Sequence, residues 1–177
     1  MTLAGHSAGS ISAAYWSYAY ASDPIVSAFV EFSGQPGLLP LDDGSGWGHV
    51  ANQTGCANSR DVEEELECMQ SLPARELKSA MYDTNMPSFT DAVYGGRPVV
   101  DNVSVFTAEE YASRGLEGKF AKLPLLITHT TNEADAILHF SPLTGVNTTL
   151  SELFTLSSFH CPVAVAVNLS ASHGVPT

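Results

Sequence analysis

Cations are scarce in this chain. Seven Lys and Arg stand against 19 Asp and Glu, a formal charge of -12 at pH 7 with histidine neutral. Most of the surface would therefore repel a phosphate backbone or an anionic membrane, which excludes nucleic acid as a partner. Long apolar runs are missing as well. No stretch approaches the roughly 20 residues that a bilayer span requires, and the N-terminus lacks the basic-then-apolar layout of a signal peptide. Internal repeats and low-complexity tracts are absent, so solenoids and solvated tails are not expected. Nothing in the sequence calls for a metal or a cofactor.

Cysteine is equally sparse, at Cys56, Cys68 and Cys161. The first two bracket the acidic stretch "CANSRDVEEELEC", short enough for a helix folding back on a loop to bring the sulfurs into bonding range. Cys161 is left odd. In an oxidising compartment it wants a partner outside this chain, whereas in the cytosol all three would be small buried apolar groups. Sequons at Asn52, Asn102, Asn147 and Asn168 take four of the seven asparagines, which favours secretion and glycosylation.

What is present is apolar and orderly. With 44% hydrophobic and 15% charged residues among 177, the chain can build one sizeable core, as one domain or part of a larger one. "MTLAG" reads as a strand stub and residues 8–20 as a largely buried helix. After Asp23-Pro24, "IVSAFVEFSG" suits a buried parallel strand, which completes a βαβ order. Residues 35–56, rich in Gly, Pro, Asp and Ser, read as a long surface loop. Residues 60–71 and 73–82 read as helices, the second with Pro in its first turn. A loop rich in Asp, Thr, Asn and Pro follows, then "RPVVDNVSVF" as an extended segment. Thr107 and Glu110 stand at capping-box spacing before another helix, and "LPLLITHT" (123–130) is the clearest strand. A helix over 149–172 must bend or break at Pro162, and "GVPT" reads as a strand beginning.

Residues 3–10, "LAGHSAGS", contain Gly5-His6-Ser7-Ala8-Gly9. The G-x-S-x-G pattern places a serine on a tight strand-to-helix turn, where residues two positions before and after must lack a Cβ. Such a turn lifts the Ser7 hydroxyl above the sheet and aims the Ala8 amide, at a helix N-terminus, toward a developing oxyanion.

"TLAGHSAGS", followed by a helix, Asp-Pro and a strand ending "FVEFSG", resembles the type-B carboxylesterase and cholinesterase family, and fungal secreted members in particular. "GCANSRDVEEELECMQSLPARELKSA" resembles that family's small disulfide loop. "PVVDNVSVFTAEEYASRGLEGKFAKLPLLITHTTNEADAI" resembles the stretch leading to its triad acid, and "FHCPVAVAVNLSASHGVPT" a later helix. The resemblance implies an α/β fold, a partial α/β-hydrolase truncated at both ends. Residues 1–177 would form the central part of one domain, with 35–100 as an excursion within it. It implies ester hydrolysis of a small-molecule substrate, with Ser7 as nucleophile, Ala8 as oxyanion donor, Gly5 and Gly9 as the elbow glycines and Glu133 as the acid. It further implies a Cys56–Cys68 disulfide and a later partner for Cys161. Asp135 stands where the family more often has glycine. An incomplete sheet would leave apolar surface on its central strands and on the aromatic helix residues Tyr15, Trp16, Tyr18 and Tyr20.

The base is the missing part. His173 in "SHGVP" completes the order Ser, acid, His, but the family carries a similar phrase well ahead of its catalytic histidine. His6 would have to fold back on its neighbour. His49, His129, His139 and His160 read as loop, strand-end and helix or turn residues. The Gly-rich oxyanion loop that precedes the serine in such esterases is not seen either, so the chain alone is expected to be inactive. Two rival readings are a non-catalytic adhesion module of the same fold, which usually lacks the serine, and a complete small esterase using His173.

Overall fold

In the computed structural model of the chain, residues 1–38, 41, 43–58, 60–82 and 97–177 are described. They fall into two compact units, one of Met1–Leu38 with Asp101–Thr177 and one of Leu39–Val100. The first is built on strand β1 (Thr2–His6), helix α1 (Ala8–Ala19) and strand β2 (Ala28–Phe32). Strand β3 (Leu125–Thr128) completes a sheet of order β1-β2-β3, parallel throughout, with Leu3 opposite Phe29 and Phe29 opposite Leu125. The chain is therefore α/β, as the alternation of apolar strands and helix predicts.

One face of the sheet is covered. Ala13 of α1 sits on Phe29 and Ala121 in a core joined by Leu3, Trp16, Leu123 and Leu125, and the small Ala13 and Ala14 let the helix approach closely. The other face exposes Phe32 (40%) and Leu126 (54%), as expected for the strands. The helix aromatics behave otherwise. Tyr15 is buried and stacks on Tyr111 at 5.2 Å, Tyr18 meets the same ring edge-on, and the Trp16 indole donates to the Pro24 carbonyl at 2.9 Å. Only Tyr20 of the four is exposed, because the helix α5 (Ala108–Glu117) brings Tyr111 onto this face.

Several predicted elements shift. The 35–56 loop contains a helix, α2 (Ser45–Thr54), whose turn-forming glycines Gly44 and Gly55 take up left-handed positions at its two ends. Helix α3 (Val62–Ser71) starts at Asp61, whose side chain accepts from the amides of Glu63 and Glu64, and α4 (Ala74–Ala80) follows Pro73. The loop over 83–96 lies outside the described residues. Residues 101–105 form no strand: the Asp101 carboxylate accepts from the Ser104 hydroxyl and gathers the amides of Val103, Ser104 and Val105 into a turn, and these bonds, the hydroxyl's first, hold its pKa well below the usual carboxylate range. Thr107 caps α5 by accepting from the Glu110 amide, while the Glu110 carboxylate pairs with Arg114 instead of closing the box.

Pro162 does not break the last helix. Helix α6 (Thr148–Thr155) runs through a π-turn at Leu156–His160 into α7 (Cys161–Ser172). The wider turn accommodates the proline's missing N–H, and the Ser158 carbonyl accepts from the Gln35 amide group. The continuous Thr148–Ser172 is thus long and apolar enough, by length and composition alone, to cross a membrane, which the apparent break at Pro162 conceals in the sequence. Here Ser151, Thr155, Phe159 and Ser170 are buried in the first unit. At the chain end Pro176 accepts from the Leu125 amide, so "GVPT" runs beside β3 without forming a strand of its own.

The second unit has its own core, with Val50, Ala51, Cys56 and Met69 buried and Leu72, Leu77 and Met81 packed on them. Cys56 and Cys68 are disulfide-bonded, with 5.5 Å between Cα atoms, whereas Cys161 is a free, exposed thiol. So small a cluster depends on its cross-link. Replacing both Cys56 and Cys68 by serine should destabilise this unit by about 2–4 kcal/mol, read as faster amide exchange in α3. Unchanged exchange would contradict this.

Glu31 faces the covered side of β2, 4% exposed, in a cavity of about 50 Å³ that Tyr18 and Gln35 also line. Burial pushes its carboxyl from the ordinary 4.5 up to about 8. The folded state then binds more protons than the unfolded state between those values, so stability is highest below the unfolded pKa and declines as pH rises toward the folded one. Unfolding free energies from urea titrations should fall as pH rises from about 5 to about 8, by about 1.4 kcal/mol per pH unit at most. Glu31→Gln should flatten that slope, and an equally steep slope in the variant would exclude Glu31 as its source.

Candidate active site

The three strands end together at one edge of the sheet, and the predicted residues follow them. Ser7, directly after β1, is the N-cap of α1 at φ 54° and ψ -119°, with no capping hydrogen bond from its side chain. A non-glycine residue held there costs of order 1–3 kcal/mol. Ser7 is exposed, and its hydroxyl has no hydrogen-bond partner among the described residues. The conformation is fixed from outside, by the Ser7 amide donating to the Phe32 carbonyl of the neighbouring strand at 2.9 Å. The Ala8 amide lies in the first turn of α1, where helical N–H groups have no internal acceptor and the helix dipole favours negative charge.

The two elbow glycines differ. A Cβ on Gly5 would lie 2.1 Å from the Gly9 carbonyl oxygen, so the turn cannot form with a larger residue there. A Cβ on Gly9 would meet nothing within 4 Å, so the steric role that the motif assigns to it is not exercised among the described residues. The second tight glycine is Gly34, whose Cβ would lie 2.5 Å from the Ser7 carbonyl oxygen.

Glu133 sits in the turn beyond β3, half-buried. Its Oε1 accepts from the Ser33 hydroxyl at 2.7 Å and from the Thr130 amide at 2.6 Å, while its own amide donates to Thr155 Oγ1. Ser33, just past β2 at φ 52°, donates its amide to the Thr128 carbonyl. Asp135 is tied elsewhere, accepting from Ser151 of α6 at 2.5 Å and from Asn132. Ser7, Ser33 and Glu133 thus follow β1, β2 and β3 in order along one sheet edge.

Three contributors were not singled out from sequence: Ser33, Gly34 and Ser10. Ser10 is fully buried and its hydroxyl donates to the Gly34 carbonyl at 2.6 Å. The available signal was a serine on the otherwise apolar buried face of α1 and the Ser-Gly that closes β2.

No histidine bonds to Ser7 or Glu133 among the described residues. His173 is the C-cap of α7, with Nε2 3.1 Å from the Leu116 carbonyl oxygen and its ring edge-on to Phe120. It precedes Pro176, which meets the start of β3, and so lies toward the opposite end of the strands from Ser7. His6 is exposed, His49 lies in α2, and His139 is exposed beyond the acid turn. His129 and His160 contact each other. The sequon residues Asn52, Asn102, Asn147 and Asn168 are all exposed.

Gly5→Ala should destabilise the chain by about 1–3 kcal/mol through overpacking. Gly9→Ala should be neutral or gain up to about 1 kcal/mol from helix propensity. Urea unfolding of the two variants measures both, and equal losses would mean that Gly9 too is sterically required.

Residues 1–159 match the carboxylesterase family. The chain is 35% identical over 129 residues to a chlorogenic acid esterase of Aspergillus niger, covering 71% of this chain and 24% of that protein. It is 29% identical over 147 residues to secreted lipase 5 of Gibberella zeae, covering 79% of this chain and 27% of that protein. The chain therefore spans about a quarter of the length of these relatives.

Proposed function

We infer that this chain, which belongs to the carboxylesterase family, carries the nucleophile and the acid of a secreted serine ester hydrolase. The observation that carries this reading is the strained, exposed Ser7 at the head of α1, on the same sheet edge as the anchored Glu133. In the reaction, Ser7 Oγ attacks the ester carbonyl and passes its proton to a histidine base, while the Ala8 amide donates to the oxyanion. Collapse of the tetrahedral intermediate expels the alcohol, which takes the proton from the base. Water then releases the acid by the reverse sequence. Glu133 orients the base and stabilises its charged form, and Ser33 and Thr130 hold the carboxylate for that task.

The base belongs, on this reading, to protein outside these 177 residues, because no histidine bonds to Ser7 or Glu133 among the described residues. The isolated chain should then turn over esters negligibly. Exposure of the four sequon asparagines and the Cys56–Cys68 disulfide support an extracellular glycoprotein, as does the similarity to the secreted lipase of Gibberella zeae.

Hydrolysis of a short-chain aryl ester tests this. A protein of the relatives' length that contains this chain should be active, should lose about a millionfold in kcat with Ser7→Ala, and should keep its rate with His173→Ala. An isolated chain that is active and is silenced by His173→Ala would overturn the assignment.

A further inference from the structure

Beside the acid turn lies a second pair of side chains that ester hydrolysis does not use. His129 follows β3 and His160 ends the π-turn. Their rings stand nearly perpendicular, with His160 Nδ1 3.4 Å from His129 Nε2. That separation is long for a hydrogen bond. It matches a chelate edge, since two metal–imidazole bonds of about 2.0–2.1 Å meeting at the tetrahedral angle set their nitrogens about 3.3–3.4 Å apart.

The tautomer is arranged for the same purpose. His129 Nδ1 lies 2.8 Å from the Thr130 carbonyl oxygen, which can only accept, so Nδ1 carries the proton and Nε2 presents its lone pair to His160. A ligand imidazole usually has its second nitrogen held by a carbonyl in this way. Both rings line an open cavity of about 410 Å³, and Glu152 on its wall adds negative charge. Phe159 flanks the His129 ring. No group of three His, Cys, Asp or Glu is gathered to hold a metal among the described residues, so water would complete the shell.

We propose that His129 and His160 form a binding site for one borderline divalent transition cation of the Zn²⁺ class, clamping the π-turn to the end of β3. On binding, Nε2 of His129 and Nδ1 of His160 each form a bond to the metal. Its aqua ligands leave until two remain to complete the tetrahedral shell, and His160 carries its proton on Nε2. Imidazole donors favour Zn²⁺, Ni²⁺ and Cu²⁺ over Mg²⁺ and Ca²⁺. The site is independent of the esterase reading, because neither histidine has a part in it.

Titration calorimetry of the 177-residue chain with Zn²⁺ tests the proposal. It should show one equivalent bound, weakened about tenfold or more by His129→Gln or His160→Gln and unaffected by His139→Gln. X-ray absorption on the Zn²⁺-loaded wild type, which needs no variant to fold, should count two imidazole nitrogens at the metal. Absence of one-to-one binding, equal loss in His139→Gln, unchanged affinity in a folded His129 or His160 variant, or fewer than two imidazoles would each overturn it.

Discussion

The Ser33 hydroxyl, donated to Glu133 across 2.7 Å, is the contact on which the geometry of the sheet edge depends. Its amide holds the Thr128 carbonyl, and the residue before it, Phe32, offers the carbonyl that receives the Ser7 amide. Gly34, immediately after, leaves room for the Ser7 carbonyl and is itself held by Ser10. One short segment past β2 thus fixes both the turn after β1 and the turn after β3. Ser7 and Ser33 both hold a positive φ, at a cost of order 1–3 kcal/mol each. Each amide–carbonyl bond returns about 1 kcal/mol, and the bond to a carboxylate about 1.5–3 kcal/mol. The strained turns persist because the bonds form together.

Local patterns carried much of this into the sequence. The glycines around Ser7, the alternation of strand and helix, the Thr107 cap and the apolar run before Glu133 are short-range signals, and the corresponding elements stand within a few residues of expectation. Contacts over long separations were not legible in the same way. Ser33 and Glu133 are 100 residues apart and Gln35 and Ser158 are 123 apart, so no periodicity reports them. The burial of Tyr15 and Tyr18 depends on Tyr111 arriving from α5. Helix α2 was hidden because its glycines and polar residues score as turn, while its stability comes from Val50 and Ala51 packing on Met69. The π-turn was hidden because Pro162 reads as a stop unless the helix widens just before it.

The chemistry at the sheet edge rests on a core that is not wholly apolar. Glu31 is paired in register with Gly5 and Ile127, so a buried carboxyl lies on the strand beside the one that carries the nucleophile turn. In a chain with a formal charge of -12, keeping that carboxyl protonated spares the core a further unpaired charge.

The central claim is that Ser33 and Glu133 act as one unit, and a double-mutant cycle tests it most directly. Unfolding free energies of the wild type, Ser33→Ala, Glu133→Ala and the double variant should be non-additive, with a coupling of about 1 kcal/mol or more. Additivity within about 0.3–0.5 kcal/mol would contradict it.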